Sequence, residues 1–98
     1  MNVFDARVGA LRELVEGCET AESITDRASL YSAMRFLLED ICKDQAPHSY
    51  IREKAFKVGA HVAASLRFGH DHGLSTRRHL ESATIELSSL ESALVKAR

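Results

Sequence analysis

Very little in this chain of 98 residues interrupts a helix. It has one proline, Pro47, and five glycines, so the two residue types that most often break helical geometry leave long stretches untouched. No apolar run approaches the roughly 20 residues that a membrane-spanning helix needs. The opening Met-Asn-Val-Phe-Asp-Ala-Arg has neither the basic start nor the continuous apolar stretch of a secretory signal. An excess of one charge is missing too, with 13 bases against 14 acids and a formal net charge of −1, whereas specific nucleic-acid binders are usually distinctly basic. Two cysteines are too few for a disulfide framework. Cys18 and Cys42 fall near the ends of the first and second helical segments, which lie at opposite ends of the bundle if those segments run antiparallel. They therefore read as two buried thiols in a reducing cytoplasm.

What remains is ordinary for a small globular domain covering residues 1–98, 45% hydrophobic and 28% charged. Apolar residues recur at helical spacing in four segments. The first, roughly Val3 to Gly17, places Val3, Phe4, Val8, Leu11, Leu14 and Val15 on one face and ends at Gly17. The polar stretch from Cys18 to Asp26 offers several caps for a second helix, which gathers Leu30, Tyr31, Met34, Leu37, Leu38, Ile41 and Cys42 and runs out near Lys43. Pro47 marks a connector. The third helix, about Ser49 to Phe68, turns Ile51, Ala55, Val58, Gly59, Val62, Ala63 and Leu66 inward, and its many small residues permit close helix approach. Gly69 and Gly73 bracket a loop, and a fourth helix beginning at Ser75-Thr76 carries Leu80, Ala83, Thr84, Leu87, Leu90, Leu94 and Val95 inward. The pattern predicts an all-α fold, an antiparallel four-helix bundle.

Three large apolar side chains fall outside these stripes: Phe36 on the far side of the second helix, Phe68 off the third and Ile85 off the fourth. On so small a bundle, exposed apolar residues on three helices point to a contact surface. The reading is self-association, most simply as a dimer, together with a protein partner. Charge is also uneven. Residues 1–48 hold nine acids against five bases, and residues 49–98 hold eight bases against five acids. Arg52, Lys54, Lys57, Arg67, Arg77 and Arg78 make a candidate basic surface for an acidic protein or nucleic acid.

The histidines bring the only reactive chemistry. His70, His72 and His79 cluster about the loop, and three imidazoles converging there suit zinc or nickel, although the spacing follows no structural zinc signature. No cofactor motif is present. His61, on the polar side of the third helix near Lys54 and Lys57 with Ser65 one turn on, resembles the phospho-accepting histidine of histidine phosphotransfer domains, with Ala64-Ser65 where that family has Lys-Gly. Arg67-Phe-Gly-His-Asp-His72 resembles the arginine, four residues, histidine pattern of the all-helical HEPN ribonucleases. That resemblance implies Arg67 steadying phosphate charge and His72 moving a proton. Across about residues 47–94, the run from Lys54 to Gly69 and that from Ala83 to Leu94 resemble the last two helices of the four-helix bundle proteins encoded in ribosomal RNA intervening sequences. That resemblance implies bundle topology and ring-like oligomers with a basic surface. Taken together, the sequence predicts a cytoplasmic, non-enzymatic bundle acting as a small adaptor or regulator, with a HEPN-like nuclease and a histidine metal site as alternatives.

Overall fold

Each helix begins where a short polar side chain is available to cap it. The computed structural model describes residues 5–68 and 73–97. In it α1 (Ala6–Cys18), α2 (Ile24–Cys42), α3 (Tyr50–Ser65) and α4 (Thr76–Lys96) follow one another, with no strand among the described residues. Asp5, Ser23, Ser49 and Ser75 stand before them in extended conformation, and their side chains accept hydrogen bonds from backbone N–H groups of the first turn. Those donors have no partner within the helix, so each cap stabilises its helix by about 1 kcal/mol.

Two helix ends differ from the pattern expected of glycine. Gly17 does not stop α1, which continues through Cys18, because Gly17 keeps a helical backbone and packs against Leu30 of α2. The third helix stops at Ser65 and not at Phe68. The Phe68 N–H donates to the Ala63 carbonyl at 2.8 Å and the Arg67 N–H to the Ala64 carbonyl at 3.0 Å, the paired closure of a Schellman turn. The left-handed residue this turn requires is Arg67, at φ 67°. From α2, Arg27 Nη1 donates to the Leu66 carbonyl at 3.0 Å and so ties this end of α3 to its neighbour.

All four helices feed one core. Val8 and Leu11 of α1, Met34 and Ile41 of α2, Val58 and Val62 of α3, Leu87 and Leu90 of α4, and Leu66 beyond α3 are all buried in it. The most extensive packing is between α3 and α4. In addition α1 touches both α2 and α4, α2 touches α3, and α2 does not touch α4, so α2 and α4 lie across the core from each other. Thr84, expected inside, is exposed, and its hydroxyl donates to the Leu80 carbonyl one turn back. Val3 and Phe4, also expected inside, lie outside the described residues. Ion pairs join the helices around the core: Arg7 to Asp40 at 3.1 Å, Arg12 to Glu91 at 3.0 Å and Lys54 to Glu86 at 2.9 Å. No described helix is long and apolar enough to cross a membrane. Both cysteines are free, Cys18 buried and Cys42 half-buried.

Two stability tests follow from the helix ends. Replacing Arg67 by glycine removes the penalty of a left-handed L-residue and should raise unfolding free energy by up to about 1 kcal/mol in urea titration; a loss of stability would mean that the Arg67 side chain holds the turn. At the other end of the chain, burial alone would raise the Asp5 carboxyl. Hydrogen bonds from the Arg7 side chain and backbone and its positive charge outweigh this and hold the carboxyl below its ordinary 3.8. The unfolded chain then binds the proton more readily, so the stabilisation is complete above that pH and is lost as pH falls through the folded value. Asp5→Ala should cost about 1 kcal/mol at neutral pH, with the gap from wild type closing below pH 3.8.

Candidate interaction groove between the second and third helices

On the side of α3 that faces α2, the sequence places small residues. A Cβ built on Gly59 would lie only 3.2 Å from Leu38 Cδ1 and 3.7 Å from Met34 Sδ, so the two helices approach closely at that level. Outside this line of contact Ala60 and Ala63 are too short to fill the valley between the helices. A groove of about 900 Å³ runs along it, with Tyr31, Met34, Leu38 and Cys42 on the α2 wall. Its rim carries Arg35 and Glu39 from α2 and Arg52 and Glu53 from α3. On the α3 wall stands Phe56, 77% exposed, the most exposed of the large apolar side chains described.

Phe56 escaped the sequence analysis, although a signal was there: on α3 it falls on the same side as Gly59, Ala60 and Ala63, one large aromatic beside three small neighbours. The three residues that the sequence did single out are not brought together. Phe36 is 72% exposed on α2 but does not line the groove, and Ile85 is 66% exposed on α4, across the core from α2. Phe68 folds back over the bundle. Its ring meets Tyr31 edge-on with centroids 5.5 Å apart, and the Arg27 guanidinium sits 5.5 Å from its centre.

The basic residues are likewise dispersed, and acids stand among them. Arg52 Nε donates to the Gln45 carbonyl at 2.9 Å. Lys54 pairs with Glu86 and lies over the Tyr50 ring, and the hydrogen bond to Glu86 raises its ammonium above the usual lysine value. Lys57 pairs with Glu53 at 3.4 Å and Arg77 with Glu81 at 3.5 Å, while Arg67 and Arg78 are exposed. Such interleaving cancels the field that a polyanion would need.

His79 is turned inward, 2% exposed, and meets His61 of α3 with the two Nδ1 atoms 3.0 Å apart. The ring centroids are 5.3 Å apart, the contact distance plus the radii of two imidazoles laid end to end. The two Nδ1 atoms therefore face each other, and a proton on either one makes the contact an N–H···N hydrogen bond. His70 and His72, the other expected metal ligands, lie outside the described residues, as does the His72 half of the Arg67–His72 pair. Among the described residues no three metal-donating side chains converge. Neither thiol is activated. Burial pushes Cys18 up to about 11 against a smaller opposing effect of its hydrogen bond with Ser65, and burial also raises Cys42.

No protein-family model matches the chain, and no curated protein or solved structure matches it.

The histidine pair has a spectroscopic signature. At about pH 8, where imidazoles are ordinarily neutral, nitrogen-15 spectra should show one of His61 and His79 protonated on Nδ1 and the other on Nε2. Two rings both protonated on Nε2 would remove the hydrogen bond between them.

Proposed function

We propose that this protein is a small, non-enzymatic helical interaction module, an antiparallel four-helix bundle that self-associates and serves as an adaptor or regulator through the α2/α3 face. The observation that carries this reading is the groove itself, an apolar valley about 900 Å³ in volume beside an aromatic side chain left in solvent. Holding Phe56 in water forgoes the stabilisation of burial, about 1.5–3 kcal/mol for such a side chain, which a binding partner would recover. The antiparallel arrangement is supported by pairs that join the start of one helix to the end of its neighbour in the chain. Arg7 reaches Asp40, Arg27 reaches the end of α3 at Leu66, and His61 late in α3 meets His79 early in α4. The interleaved acids favour a protein over a nucleic acid as the occupant. The raised thiols and the engagement of His61 with His79 speak for binding over catalysis.

The test is a photo-reactive phenylalanine analogue placed singly at positions 56 and 85 and activated in living cells. Position 56 should give discrete cross-linked species and position 85 few or none. Cross-linking at position 85 but not at 56 would locate the interaction surface elsewhere and remove this reading.

A further inference from the structure

The groove has a pattern that singles out its occupant. Gly59 of α3 lies opposite Met34 and Leu38 of α2, and Arg27 at the start of α2 reaches Leu66 at the end of α3, so residue numbers rise in opposite directions along the two walls. Extending that register along the walls puts Arg35 of α2 level with Ala60 of α3 and Glu39 level with Phe56, and within one chain Arg35 and Glu39 also pair with each other at 3.2 Å. The rim therefore carries a base and an acid one helical turn apart, and at the same two levels the wall carries a small residue and a large one. Rotation by half a turn about an axis through the point between those levels exchanges them. Phe56 of one molecule then falls on the Ala60 and Gly59 surface of the other, and Arg35 of each faces Glu39 of the other. Ala60, Phe56, Arg35 and Glu39 are all exposed, so nothing must unfold for this to occur. The rim as a whole, Arg35 and Arg52 against Glu39 and Glu53, has no net charge and so no preference for a basic or an acidic partner.

Resting on the reading of this face as the interaction surface, we propose that its occupant is a second copy of this chain. The two α2/α3 faces pack about a two-fold axis, with Phe56 of each protomer inserted over Gly59 and Ala60 of the other and two reciprocal Arg35–Glu39 pairs flanking them. An interface of this kind is isologous: every contact occurs twice, and its complementarity is a property of one surface alone.

Charge reversal tests the symmetry directly. Purified wild type should sediment as a dimer at high micromolar concentration, and Ala60→Glu, which closes the small-residue surface, should shift it to monomer with helical content unchanged by circular dichroism. Arg35→Glu alone places two acids face to face and Glu39→Arg alone places two bases face to face. Each should weaken the dimer at least about tenfold, since like charges opposed in an interface are strongly unfavourable. The double reversal should restore self-association. An equimolar mixture of the two single variants should form a heterodimer more readily than either forms its own dimer, because both cross pairs are then of opposite sign. A wild-type monomer, a dimer indifferent to Ala60→Glu, or a mixture of the single variants that associates no better than either alone would overturn the proposal. Cross-links from position 56 to a different protein only would overturn it, and self-association through this face with it, while leaving the adaptor reading intact, whereas no cross-link from position 56 at all would remove both.

Discussion

The approach of α3 to its neighbours is the constraint on which the rest of the structure depends. Val58 and Val62 are fully buried, and both α2 and α4 pack against this helix. Each such side chain contributes about 1.5–3 kcal/mol when removed from water, so α3 and its contacts supply a large share of the core's stabilisation. Gly59 favours this close approach, since an added Cβ would lie 3.2 Å from Leu38 Cδ1 and that side chain would have to give way. The same smallness that brings α2 near leaves Ala60 and Ala63 unable to cover the seam. The groove and the tight contact therefore share one cause.

Polar groups fix the ends. Four caps start the helices at defined residues, and the Schellman turn with the Arg27 hydrogen bond closes α3. Ion pairs such as Arg12–Glu91 and Lys54–Glu86 link helices distant in sequence. These partly buried pairs favour one register among several that the apolar stripes would allow. The His61–His79 contact also links α3 to α4, with His79 buried and His61 half-buried.

These features separate stability from interaction. Of the basic residues in the second half of the chain Lys54, Lys57 and Arg77 are drawn into ion pairs while Arg67 and Arg78 stay exposed, the thiols are held neutral by burial, and the inward histidine is engaged with another helix. Exposed apolar surface is left as the feature that the fold itself does not use. At the α2/α3 face an open groove and a projecting aromatic stand side by side, whereas Ile24, Phe36 and Ile85 are exposed away from it.

Helical content was legible in the sequence because burying one stripe of each helix imposes a 3.6-residue period, and that period survives in the positions of Val8, Leu11, Met34, Leu38, Val58, Val62, Leu87 and Leu90. The caps at Ser49 and Ser75 were legible for a local reason, since a serine bonds to a backbone only a few residues away. The stop of α3 was not, because the left-handed residue that ends it is Arg67, a residue type that gives no sign of that conformation. His79 read as a loop-side ligand until the fold turned it toward His61, and Phe36, Phe68 and Ile85 shared only their departure from the wheel. Periodicity along one helix determines which residues face inward. Which outward residues meet depends on how two helices lie together, and that decided the groove around Phe56, whose walls are far apart in the chain and touch only once α3 has packed against α2.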